Sequence, residues 1–90
     1  MLEAKIKIIN QLGLHARAAA QLVRLAGKFK SRIKLTRTDN EVTADAKSIL
    51  SVLTLAAAKG TELTLNVEGI DEREALNAIE EIIKNGFGEI

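Results

Sequence analysis

A chain of 90 residues, 47% apolar and 28% charged, has the size and balance of one folded domain, residues 1–90, near the lower limit for a core of its own. With no cysteine and a single histidine, it excludes disulfides and the thiolate and multi-histidine metal sites, and neither a metal nor a cofactor is expected. Thirteen basic and twelve acidic residues leave a formal charge of +1, which provides no bulk attraction to nucleic acid or to a membrane.

The chain opens with Leu2, Ala4, Ile6 and Ile8 alternating against Glu3, Lys5 and Lys7. A period of two predicts a strand, and it lacks the continuous apolar run of a secretory signal. Residues 10–14 break the alternation and contain Gly13, so they form a loop. A helix then starts close to His15. Ala19, Leu22, Val23 and Ala26 make its apolar stripe, Arg17, Gln21, Arg24 and Lys28 its polar one, and Gly27 suits its end.

Residues 32–36 and 41–44 alternate again, and Thr38-Asp39-Asn40 between them favours a turn, which predicts a hairpin. Residues 48–59 read as a second helix, with Ile49, Val52, Leu53 and Ala56 inward, Gly60 as its stop, and Ser48 or Asp45 as its N-cap. The apolar run 49–58 is too short to span a bilayer, and a cytoplasmic location is expected. Residues 61–68 give the clearest strand signal, with Leu63, Leu65 and Val67 on one face. A last helix starts at Asp71, with Asp71 and Glu74 at capping-box spacing. Its inward stripe is Ala75, Leu76, Ile79, Ile82 and Ile83, and Gly86 ends it.

The order βαββαβα with one-sided strands predicts an α+β fold: a four-stranded antiparallel sheet carrying three helices on one face. The expected core is Leu2, Ile6, Ile8, Leu22, Val23, Ile33, Leu35, Leu63, Leu65, Val67, Leu76, Ile79 and Ile83.

Most catalytic apparatus is missing. There is no nucleophile elbow and no phosphate-binding loop, and Gly86-Phe87-Gly88 leads into no helix, so it is not a dinucleotide fingerprint. Two phenylalanines, with no tryptophan or tyrosine, offer little for base stacking. A small α/β binding module for RNA or a metabolite is therefore a remote alternative.

One segment carries chemistry: Gly13-Leu14-His15-Ala16-Arg17. A helix N-terminus presents unpaired N–H groups, here of Ala16 and Arg17, and a partial positive charge, which suits a phosphoryl group. Arg17 can add charge-assisted hydrogen bonds. The same positive end disfavours an imidazolium, so His15 is expected to keep a free ring nitrogen as nucleophile, exposed to another protein. A lone histidine is also compatible with a plain helix-flanking role, and the residues by themselves leave both readings open.

Gly13-Leu14-His15-Ala16-Arg17-Ala18-Ala19 resembles the active-site signature of HPr, the histidine-containing phosphocarrier family of the phosphoenolpyruvate-dependent sugar phosphotransferase system. Lys47-Ser48-Ile49-Leu50 is similar to that family's regulatory serine segment, and residues 58–63 to the stretch entering its last strand. The resemblance covers nearly the whole chain and implies an open-faced β-sandwich. It implies a carrier without turnover of its own, phosphorylated by enzyme I on Nδ1 of His15, with Arg17 stabilising the phosphoryl group, and dephosphorylated by enzyme IIA domains in sugar uptake. It further implies Ser48 as the target of a serine kinase/phosphatase in some hosts. Gln21, Arg24, Lys28, Ile49 and Leu50 are the expected docking residues of a monomer.

Two departures from the family pattern stand out. Ala18 replaces the usual proline, and the hairpin around residues 37–41 is slightly longer. Alanine is an excellent helix former, so the helix is expected to persist with a softer start. Both departures fit a regulatory paralogue, such as the nitrogen-branch carrier, as the alternative to the sugar branch.

Overall fold

The computed structural model describes residues 1–89. The alternating segments form β1 (Leu2–Lys7), β2 (Arg32–Arg37), β3 (Thr43–Asp45) and β4 (Glu62–Glu68). The segments of helical period form α1 (Ala16–Ala26), α2 (Ile49–Thr54) and α3 (Glu72–Lys84), and a single 3-10 turn follows at Gly86–Gly88.

The strands make one sheet in the order β1-β4-β2-β3, every neighbouring pair antiparallel. β4 lies inside the sheet, with Leu65 opposite Ala4 on one side and Leu35 on the other. Its alternation has a physical result: Leu63, Leu65 and Val67 are fully buried, while Glu62 and Glu68 stay in solvent. Complete burial of one such leucine contributes about 1.5–3 kcal/mol. The helices cover that same face, α3 on β1 and β4, and α1 between α2 and α3. The expected α+β architecture is the one observed.

The core holds the expected Ile6, Ile8, Leu22, Ile33, Leu35, Leu76, Ile79 and Ile83, and adds Leu14, Val52, Leu55 and Phe87. Leu2, Val23 and Ile82, expected inside, are only partly buried at its margin.

The second helix departs most from expectation. It ends at Thr54, not at residue 59, and Ile49, Leu53 and Ala56 face outward where an inward stripe was expected. Ala56 takes a left-handed φ of 50°, which costs an alanine about 1–2 kcal/mol. The break brings both Leu55 and Ala57 into the core, a spacing that a continuing helix cannot provide. Arg37 compensates the break: its Nη1 donates to the carbonyl oxygens of Leu55 at 2.8 Å and Ala56 at 3.3 Å.

The second strand of the hairpin starts later than expected, at Thr43, because Glu41, at φ 60°, and Val42 stay outside the ladder. At the start of α3 the capping box does not form. Asp71 makes no side-chain cap bond. Its carboxylate instead accepts from Ser31 Oγ at 2.5 Å and from the N–H groups of Ser31 at 2.9 Å and Lys30 at 2.8 Å. Glu72, not Glu74, reaches back, accepting from the Gly69 N–H at 3.1 Å. Asp71 thus ties α3 to the start of β2. Among the described residues, no helix is long and apolar enough to cross a membrane.

Candidate functional site

His15 is the N-cap of α1. Its backbone is extended, with φ −72° and ψ 177°, and its carbonyl accepts the N–H of Ala19 at 2.8 Å. The amides of Ala16, Arg17 and Ala18 precede that first i→i−4 bond, so the helix offers its orphan donors just beyond the imidazole. Ala18 occupies the position of the family proline inside this first turn, and the helix forms there without one. The His15 ring makes no cap bond and is left for other partners.

The loop ahead of it is held firmly. Gly13 takes φ +66°, its N–H donates to the Asn10 carbonyl at 3.1 Å, and the Leu14 N–H donates to the Ala57 carbonyl at 2.8 Å. Leu14 is buried, and this apolar anchor beside the histidine fixes where α1 begins.

The ring is not freely exposed, contrary to expectation. Its side chain keeps 26% of its exposure, and Nε2 is hydrogen-bonded to the Oε2 of Glu89. The other carboxylate oxygen of Glu89 accepts from Asn10 Nδ2 at 2.9 Å. The Asn10 amide first, and the His15 ring next, hold the Glu89 carboxyl below its ordinary range; the charge of Arg17 adds to the effect. His15, Arg17 and Glu89, with Gln11 and Leu12, line an open cleft of about 350 Å³.

His15 and Arg17, expected side by side, line the same cleft. Glu89, which meets the ring there, and Asn10, which holds Glu89, were not singled out by the sequence reading. Glu89 reaches the site because the turn at Gly86–Gly88 folds back on the core. Gly86 and Gly88 take φ of 60° and 77°, and Phe87 between them is buried. A buried aromatic between two glycines was the available signal for that turn.

The other expected residues lie on α1, just past its end, and on α2. Arg17 and Arg24 are exposed on α1, Gln21 is half-buried, and Lys28 lies just past the helix end. On α2, Ile49 is 40% and Leu50 74% exposed, and α1 packs beside α2. Leu12, 69% exposed, and Leu53 are further exposed apolar residues that were not anticipated. Ser48, not Asp45, caps α2: its Oγ accepts the Ser51 N–H at 3.3 Å. The Asp45 carboxylate accepts the Lys47 N–H at 2.9 Å instead.

Residues 2–85 match the family model described as the PTS HPr component phosphorylation site. The chain belongs to the HPr family. The phosphocarrier protein HPr of Cupriavidus necator is 51% identical to it over 89 residues, which is 99% of this chain and 98% of that protein. HPr of Pseudomonas aeruginosa is 52% identical over 94% of this chain and 93% of its own. A solved HPr structure from Thermoanaerobacter tengcongensis superposes with a TM-score of 0.92 at 40% identity, over 100% of this chain and 99% of the other. Membership at this coverage makes the chain a phosphocarrier of the phosphotransferase system. Among its structural neighbours, an HPr dimer from the same Thermoanaerobacter species matches with a TM-score of 0.76.

Proposed function

We propose that His15 carries the phosphoryl group, on Nδ1, taking it from phosphorylated enzyme I and giving it to enzyme IIA domains in sugar uptake. The observation that carries this reading is the pairing of the imidazole with the start of α1. The ring sits at the N-cap and bonds to Glu89 through Nε2, which leaves Nδ1 as the nitrogen to react. A phosphoryl group there meets the N–H groups of Ala16 and Arg17 and the positive helix end. The Arg17 guanidinium, lining the same cleft, adds charge-assisted bonds to the phosphoryl oxygens.

The role is that of a substrate for two partners, without turnover or cofactor of its own, as a cytoplasmic monomer formed by residues 1–90. Docking uses the charge of Arg17, Arg24 and Lys28 with Gln21, and the exposed apolar Ile49 and Leu50. The positive side steers an acidic partner surface into place, and the apolar side supplies area. Ser48 is a regulatory phosphorylation site in a host that has the serine kinase/phosphatase.

The test is incubation with phosphoenolpyruvate and enzyme I. The wild-type chain is expected to gain one acid-labile, base-stable phosphoryl group, and His15→Ala none. Labelling of His15→Ala at the wild-type rate would falsify the assignment.

A further inference from the structure

Asn10 is fully buried, far from the solvent its amide would prefer. Both of its N–H protons are committed, one to the Gly13 carbonyl at 2.8 Å and one to Glu89 Oε1 at 2.9 Å. Its Oδ1 is buried and has no partner among the described residues. Turning the amide over would set that oxygen against two acceptors, so the orientation is determined by its surroundings. Leaving a buried amide oxygen unpaired is costly. What that cost supports is the carboxylate of Glu89, which Asn10 holds against His15 across 74 positions of chain.

We propose that Glu89, aimed by Asn10, is a positioning residue for phosphoryl transfer: its carboxylate accepts the proton of His15 Nε2 and so presents an unprotonated Nδ1 to the donor. The inference rests on His15 being the phosphoryl acceptor. A carboxylate has no proton to offer, so the ring nitrogen facing it must be the protonated one. The lone pair then lies on Nδ1. During transfer that lone pair forms the N–P bond. The bond from phosphorus to the donor breaks, and its electron pair leaves with the donor. No proton has to move on His15.

The product ring, phosphorylated on Nδ1 and still protonated on Nε2, carries a positive charge. Glu89 lies against that charge and offsets it. In the return step the ring departs as neutral imidazole, a good leaving group, so the same hydrogen bond serves both directions. Arg17 is the other permanently charged group lining the cleft.

Glu89→Gln gives the sharpest test. Asn10 still donates to an oxygen, so it turns the glutamine amide with its NH2 toward His15. That NH2 requires a lone pair on Nε2 and drives the proton to Nδ1. Ring nitrogen chemical shifts at about pH 8.5, well above the ordinary histidine range, are expected to show Nε2–H in wild type and Nδ1–H in Glu89→Gln. Phosphoryl acceptance from enzyme I is expected to slow about ten-fold or more, the equivalent of losing one hydrogen bond to a charged group. Glu89→Ala, with neither acceptor nor donor, is expected to show mixed tautomers and a smaller loss. Glu89→Gln with the Nε2–H tautomer, or either variant accepting phosphate as fast as wild type, would overturn the proposal. A wild-type chain that takes no phosphate on His15 would sink the carrier reading itself, before any variant is compared.

Discussion

A Cβ on Gly13 would lie 2.5 Å from the carbonyl oxygen of Ala57 and 2.9 Å from the Cα of Ala58. No side chain fits there, because the backbone before His15 presses on the segment that leaves α2. The same two strands of chain share the bond from Leu14 N–H to the Ala57 carbonyl, at 2.8 Å. The break in α2 and the placement of the histidine are one packing arrangement.

Gly13→Ala is therefore expected to move the loop or the 57–58 segment and to strain φ +66°. Overpacking of this kind costs about 1–3 kcal/mol. Thermal unfolding should fall by about 4–8 °C per kcal/mol for a domain of this size, and phosphoryl acceptance should slow alongside it. A melting temperature equal to wild type would show that the loop yields without cost.

Arg17→Ala should separate transfer from folding. Arg17 is exposed on α1, so its truncation opens no cavity, and surface changes of this kind stay within about 0.5 kcal/mol. Phosphoryl exchange with enzyme I is expected to slow while the melting temperature holds. An unaltered exchange rate would mean that the helix amides suffice to hold the phosphoryl group.

Ser48 has a structural role that can be measured apart from any regulation. Ser48→Ala removes the acceptor for the Ser51 N–H and should cost about 1 kcal/mol. Ser48→Asp keeps an acceptor at the helix start, where negative charge is favoured, and should retain the fold. It places that charge beside exposed Ile49 and Leu50, so transfer from enzyme I is expected to weaken. Equal rates for Ser48→Asp and wild type would leave Ser48 as a helix cap alone.

Asp71 makes stability depend on acid. Hydrogen bonds from the Ser31 side chain first, then from the Lys30 backbone, hold its carboxyl below the ordinary value of 3.8. A carboxyl depressed in the folded state stabilises fully above its unfolded pKa, and this contribution fades as pH falls through the folded one. Asp71→Asn should lower the melting temperature at pH 7. The gap between variant and wild type should narrow below about pH 4, as Asp71 begins to be protonated. A gap independent of pH would assign the effect to shape and not to charge.

The strands, helices and histidine were legible because each follows from local rules. Alternation at 62–68 can bury only one face of a strand, and the 3.6 period at 16–26 only one face of a helix. A histidine at the start of such a helix meets orphan amides wherever the helix ends up. Local rules do not see what lies across the fold. The period of residues 48–59 favours one long helix, yet packing of Leu55 and Ala57 into the core, with Arg37 taking the freed carbonyls, stops it at Thr54. Asp71 has the spacing of a cap, but Ser31 and Lys30, just ahead of β2 and 40 residues or more away in the chain, offer it three donors instead. The sequence alone determined which nitrogen-bearing side chain stands at the helix start. Only tertiary structure decided which of its nitrogens faces a carboxylate, because Glu89 and Asn10 lie 79 residues apart in the chain and meet when Phe87 is buried.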